Sequence, residues 1–460
     1  MTEQNTASNQ STSSLTPPPN AIILGDGVYL PAPYYDNTPF SKNALTVDDV
    51  GSGKSRYFVQ PNFLQFSGNT LVIGNAGSGK SRCYIQPNLL QFNSNFVVAD
   101  YNGEHVRRYG GILRDAGYEV QIFSATGGNV TVENLDGSTQ DIPSLVFNPL
   151  QYIETDEDVQ FIAETLLHSK KKNPTLQLLL TALIDYVDTM CDSEIKTFYY
   201  IKELLRASVP SDKTKRFSVE FMSKLSSFCS EHPGNIGAKA FTELSNNAST
   251  RTIRRIVLEL LQFLEELFPK KLVDTAQAVN HLNELDLSAF RNKKKALFVV
   301  ISPLSCSGMC SLLLNQVFNV CLTPGFSEPV HFILDEFPGL HLKDIRNQLT
   351  CAHNYNATFS VVLQTLTQVN EDIRDYLLAN CKNLLCLGTF DHDTAEFLSK
   401  RSGLKAVPNS FCGTRSAPFF SPEEILTQDA SEAIVFPRSK DPIVCKKYRI
   451  ESHPNYINGL

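Results

Sequence analysis

The sequence predicts an α/β protein: a mainly parallel sheet built around a phosphate-binding loop, with an all-helical domain inserted in its middle. Three observations predict it. Short apolar runs bounded by turn residues recur from residue 69 onward. A glycine-rich loop follows the first of them. Between about residues 155 and 290 the runs vanish and apolar residues fall at helical spacing instead.

The runs are NTLVIG, NFVVAD, YEVQIF, KALFVVIS, VHFILDE, TFSVVLQ, NLLCLGT and EAIVFP. Each is short and apolar on both alternating faces, as strands of a sheet covered on both sides must be. The middle region reads DEDVQFIAETLLHSKKKNPTLQLLLTALIDYVDTMC, then IKTFYYIKELLRAS, VEFMSKLSSFCSEH and TRTIRRIVLELLQFLEELF, all with a 3.6-residue apolar period. This divides the chain into a disordered tail and lead-in (1–42), a degenerate duplicate of a strand–loop–helix unit (43–68), and the first part of a nucleotide-binding domain (69–154). The inserted helical domain (155–290) and the second part of the nucleotide-binding domain (291–460) follow.

Composition narrows the class. At 460 residues the chain is long enough for more than one domain. A net charge of −7 excludes a generally basic protein, so any nucleic-acid contact must be local. The lysine triplets at 170–172 and 293–295 read as solvated surface, with DNA contact as the alternative. The 11 cysteines include no Cys-x-x-Cys pair, which argues against a zinc site or a disulfide framework and for a reducing compartment. The polar first twenty residues are not a signal peptide, and no apolar run reaches the ~18 residues of a membrane span.

Gly74-Asn75-Ala76-Gly77-Ser78-Gly79-Lys80-Ser81 fits the phosphate-loop pattern in full. Glycines let backbone N–H groups wrap an anion, Lys80 brings charge to the β- and γ-phosphates, and the Ser81 hydroxyl is a ligand for Mg²⁺. A chance lysine after a glycine turn is the competing reading, and the strand before and helix after the loop decide against it. The strand VHFIL ends in Asp335-Glu336, a carboxylate pair that is costly to bury without a task. Asp335 is predicted to hold Mg²⁺ and Glu336 to activate water. Gln364, at the end of SVVL, is a candidate γ-phosphate sensor.

Gly-Ser-Gly-Lys-Ser also occurs at residues 51–55. With an offset of 26, fourteen of the 26 positions in 43–68 match 69–94, so this is a tandem duplication. Asp48 and Asp49 stand where the second copy has Gly74 and Asn75. Two carboxylates repel a phosphate, so ATP is assigned to 74–81 alone.

The ordered set LVIGNAGSGKSRCYIQPNLLQ, FVVADYNGE, VFNPL, HFILDEFPGL, VVLQTLTQV, NCKNLLCLGTFDHDTAEFLSKRSG and SPEEILTQDASEAIVFPRSKDPIVCKKYRI resembles the type IV secretion coupling proteins of bacterial conjugation. The resemblance implies a RecA-like motor domain, a homo-hexamer, and hydrolysis of ATP with Mg²⁺. It also implies passage of relaxase-bound single-stranded DNA to the other secretion components. It supports Lys80, Ser81, Asp335, Glu336 and Gln364 in the roles above. It implies a place in the bacterial cytoplasm at the inner membrane, with an anchor supplied in trans or missing from this sequence.

The chain departs from its relatives in two places. It has Asp100-Tyr-Asn-Gly-Glu104 where relatives often carry a lysine, and His353 and Tyr355 where they commonly carry arginines. Without an arginine reaching a neighbouring ATP, turnover is expected to be slow unless Arg346 or Arg438 takes that place. The alternatives are therefore a weakly hydrolysing adaptor that docks relaxase, or another P-loop DNA translocase. The face Arg251, Arg254 and Arg255 is a candidate DNA contact or a solvated helix side.

Overall fold

A computed structural model describes residues 17–18, 21–31, 62–63, 68–167, 173–209, 219–268, 285, 290, 294–301, 307–323, 328–343, 345–409, 413–437 and 441–456. The chain forms two compact units. The first comprises the described residues of Met1–Ser94, Pro329–His331 and Thr358–Leu460, the second those of Asn95–Glu328 and Phe332–Ala357.

In the first unit, strand Thr70–Ile73 lies between two parallel neighbours, Ala357–Leu363 and Asn383–Cys386. Strands Glu432–Pro437 and Ile443–Lys446 extend this sheet antiparallel beyond Asn383–Cys386. Every residue of Thr70–Ile73 and of Asn383–Cys386 is buried. Continuous apolar runs are what such double coverage selects.

A hairpin that the reading of 1–42 as tail and lead-in did not contain joins Ala21–Gly25 to Val28–Pro31. Its Asp26-Gly27 turn places Gly27 at φ 70°, a conformation glycine adopts without a Cβ clash. Ala21, Ile23 and Tyr29 bury against Tyr448. The Asn88 side chain binds both the N–H and the carbonyl of Ile23, fixing the hairpin to the segment after the phosphate loop.

The duplicate lies outside the described residues except for Asn62–Phe63, which pair parallel with Val28–Tyr29. Their counterparts in the second copy, Asn88 and Leu89, are helical. The same Gln-Pro-Asn run thus ends in a strand in one copy and sits in a helix in the other.

In the second unit, Lys295–Ile301 pairs parallel with Asn95–Tyr101 on one side and Glu119–Ser124 on the other. Among the described residues from 156 to 268 there are six helices and no strand: Asp156–Leu167, Pro174–Met190, Phe198–Ser208, Val219–Glu231, Ile236–Asn247 and Thr250–Leu267. The last buries Ile253, Ile256, Val257, Leu260, Phe263, Leu264 and Leu267 on one stripe. Arg251 and Arg255 are exposed at its first turns and Arg254 is half-buried. Lys202 is buried, and its ammonium donates to the Phe268 carbonyl at the end of this helix, 2.9 Å away. The triplet 170–172 and Arg438 lie outside the described residues.

Candidate functional site

The phosphate loop leaves the sheet where Ile73 ends its strand. Gly74 N–H donates to Leu363 O and Asn75 N–H to Gly388 O, both at 3.1 Å, so the first two loop residues hang from the two flanking strand ends. Asn75 Oδ1 in turn accepts from the Phe390 N–H. Gly77 and Gly79 sit at φ 78° and 95°, where side chains are strained. Gly74 is tightly placed for a different reason: a Cβ there would lie 2.2 Å from Ser78 Oγ, which would have to turn away. The chain then winds as one wide helical stretch, Lys80–Ile85, and continues as Gln86–Leu89.

Lys80 folds back on its own loop, its ammonium donating to Gly74 O at 2.8 Å and Asn75 O at 3.2 Å. Ser78 Oγ is buried and has no hydrogen-bond partner. A buried hydroxyl left unpaired is costly. Gln364 follows the Leu363 carbonyl that holds Gly74, so it stands in the same unit as the loop. Its backbone N–H donates to Gln368 Oε1, part of a capping box formed by Thr365 and Gln368.

Asp335 and Glu336 belong to the second unit, after the buried strand Val330–Leu334. Asp335 is 7% exposed, and its Oδ1 accepts from the Glu336 N–H at 3.1 Å. Glu336 sits at φ 50°, ψ 43°, a left-handed conformation uncommon outside glycine. Such strain persists where the surroundings impose it and clusters at working sites.

Sequence reading missed His105. It is fully buried, and its Nε2 lies 3.5 Å from Asp335 Oδ2 while its Nδ1 has no partner. Asp100 completes the cluster. Its carboxylate accepts from the N–H groups of His105 and Val106 and so caps the helix Glu104–Asp115. The turn before it, Asn102-Gly103, is left-handed at both residues. Burial raises the Asp100 pKa, opposed by His105 and by the two helix N–H groups. Burial also opposes charge on His105, but Asp100 and Asp335 outweigh it and hold its pKa above the ordinary value. A lone histidine after Gly-Glu carries no pattern, which is why it escaped notice. Replacing His105 by leucine strands the two buried carboxylates and is expected to cost about 3 kcal/mol of stability, while glutamine, which keeps a donor toward Asp335, costs less than half of that. Chemical denaturation of the two variants checks it.

The segment between the two units' catalytic candidates holds no arginine at 353 or 355. His353 and Tyr355 lie in a single tight turn, Ala352–Tyr355, and Arg346 is exposed on the preceding helix Ile345–Cys351.

A model of the family described as "Type IV secretory system Conjugative DNA transfer" matches residues 33–451. The chain belongs to this family. Solved structures of a conjugative coupling protein, TrwB, are similar to it. The unbound monoclinic form of TrwBΔN70 has a TM-score of 0.58 at 14% identity, covering 85% of this chain and 88% of that one. TrwB in complex with ADP and Mg²⁺ has a TM-score of 0.55 at 16% identity, covering 83% and 85%. TrwB with the non-hydrolysable GTP analogue GDPNP has a TM-score of 0.55 at 15% identity, covering 85% and 88%. These likenesses give this conjugative-transfer protein the α/β, RecA-like P-loop fold of the coupling proteins. No curated protein sequence matches the chain. Among the described residues no helix is long and apolar enough to cross a membrane.

Proposed function

We propose that this chain is an ATP-hydrolysing coupling protein of a conjugative type IV secretion system. In this reading it works as a homo-hexamer at the cytoplasmic face of the bacterial inner membrane. It recruits relaxase-bound single-stranded DNA and delivers it to the other secretion components. The observation that carries the reading is the loop 74–81. Its left-handed Gly77 and Gly79, its unpaired Ser78 hydroxyl and its inward-folded Lys80 together suit an anionic ligand.

The residues present fit ATP with Mg²⁺, in line with the ADP–Mg²⁺ complex of TrwB. Lys80 exchanges the Gly74 and Asn75 carbonyls for the β- and γ-phosphate oxygens. Ser81 and Asp335 would be the residues to hold Mg²⁺, which when bound would screen the charge of the phosphates. Glu336 accepts the proton of the attacking water, and Gln364 orients that water against the γ-phosphate. His105 holds the Asp335 carboxylate in one orientation, as outer partners do for metal ligands elsewhere.

A second reading is supported by His353 and Tyr355, which in the sequence fall where relatives commonly carry arginines: a nucleotide-holding adaptor that docks relaxase and barely hydrolyses. One assay separates the two. ATP turnover by the folded chain, measured with and without single-stranded DNA, is expected to exceed that of a Lys80→Ala variant and to rise with DNA. Turnover equal to that variant's, with nucleotide still bound, would leave the adaptor as the function.

A further inference from the structure

The chain after the last strand runs along the phosphate loop and the helix behind it. Lys447 immediately follows strand Ile443–Lys446, and its N–H is fixed to Ser431 O at 2.8 Å. Its ammonium, half-buried, donates to the carbonyl of Ser78 in the loop at 2.8 Å. Four residues on, Glu451 pairs with Arg82. Farther along, His453 Nε2 meets Gln91 Oε1 at 3.1 Å and Asn455 Nδ2 donates to Leu90 O at 2.8 Å. Tyr448 and Ile450 are buried between these contacts.

Of these, only Lys447 touches the loop itself. The peptide Ser78–Gly79 is planar and trans, so the Ser78 C=O and the Gly79 N–H point in opposite directions. Holding the carbonyl therefore fixes where the N–H points. Gly79 is at φ 95°, so the peptide before it is free of the side-chain restraints that fix other residues and needs an external hold. Ser78 N–H is engaged with Asn75 O and its hydroxyl has no partner, so among the described residues Lys447 supplies the one charged contact to this residue. Burial lowers the Lys447 pKa, the expected result of placing an ammonium against a carbonyl rather than in water.

We infer that Lys447 is a positioning residue for nucleotide binding: by gripping the Ser78 carbonyl it turns the Gly79 N–H toward the phosphates. This rests on the nucleotide reading of 74–81. In this role Lys447 acts through the loop carbonyl that it holds. The loop is thus held by two lysines from opposite ends of the sequence, Lys80 from within and Lys447 from the C-terminal segment.

The test uses the full chain and titration with a fluorescent ADP in Mg²⁺. Lys447→Met keeps the buried stem and removes the ammonium. It is expected to weaken ADP by about tenfold, the equivalent of one charge-assisted hydrogen bond. Lys447→Arg, which restores a charged donor, is expected to recover affinity to within about threefold. Asn455→Ala loosens the same segment away from the loop and should leave ADP affinity unchanged. A general packing role would instead make Asn455→Ala and Lys447→Met alike and leave Lys447→Arg unrescued, which would overturn the inference. So would ADP affinity within twofold of the unmodified chain for Lys447→Met. Failure of the unmodified chain to bind ADP would overturn the nucleotide reading itself, and this inference with it. Inorganic triphosphate as competitor adds a readout free of base and ribose: its affinity should fall by the same factor as that of ADP in Lys447→Met.

Discussion

Lys80→Ala should abolish nucleotide binding, while Lys54→Ala leaves it within about twofold of the unmodified chain. Both lysines stand in the same Gly-Ser-Gly-Lys-Ser string, so local sequence alone would give them equal weight. The difference lies three residues before that string. A Cβ at Gly74 would have to displace the Ser78 hydroxyl, and the first copy has Asp48 at the equivalent position. A carboxylate in place of that glycine repels an anionic ligand. In the second copy, the Lys80 ammonium is held on the loop by two carbonyls, which phosphate oxygens would replace. Charge-assisted contacts to several phosphate oxygens add up to a loss of about 100-fold or more when the ammonium is removed. Calorimetric titration with ATP and Mg²⁺ measures both variants. A comparable loss in Lys54→Ala would show that the first copy binds as well, and the assignment to 74–81 would fall.

What could be read in the sequence, and what could not, follows from the range over which each feature is determined. The strands were legible because burial on both faces demands unbroken apolar runs such as Phe96–Ala99 and Leu297–Ile301. The loop was legible because only glycine meets its backbone angles. The hairpin Ala21–Pro31 carried a signal, Asp26-Gly27 between apolar runs, but its position inside a polar tail drew attention away from it. Asn62 and Asn88 show the limit of local reading. Both follow Gln-Pro, yet one lies in a strand and the other in a helix whose side chain grips Ile23. Tertiary contacts chose between them. Lys447 is a stronger case of the same limit, since the carbonyl it holds is 369 residues away. His105 is the site residue with the least warning: its meaning comes from Asp335, 230 positions later, and from Asp100, which the sequence reading took only as a departure from a family pattern.

Glu336→Gln should leave ATP binding intact and lower turnover by about 10²–10⁴, the range for removing a general base. The substitution keeps size and removes only the ability to take a proton. The backbone at this position argues that the residue is kept for chemistry. Glu336 sits at φ 50°, which costs a side-chain-bearing residue roughly 1–2 kcal/mol that glycine would not incur. Glycine in turn gains freedom in the unfolded chain, by about 0.4–1 kcal/mol. These terms nearly cancel, so Glu336→Gly is expected to leave stability within about 1 kcal/mol of the unmodified chain while losing turnover as fully as Glu336→Gln. A residue held for structure would behave the other way, with stability falling and activity following only as the fold is lost. The two variants are read together, denaturant midpoints beside single-turnover rates at saturating ATP. If Glu336→Gln hydrolyses within about twofold of the unmodified chain, below any general-base effect, then water is activated elsewhere and the strained glutamate has another purpose. If turnover falls while ATP affinity holds, the strain at Glu336 is the cost of aiming a carboxylate that a relaxed residue would point elsewhere.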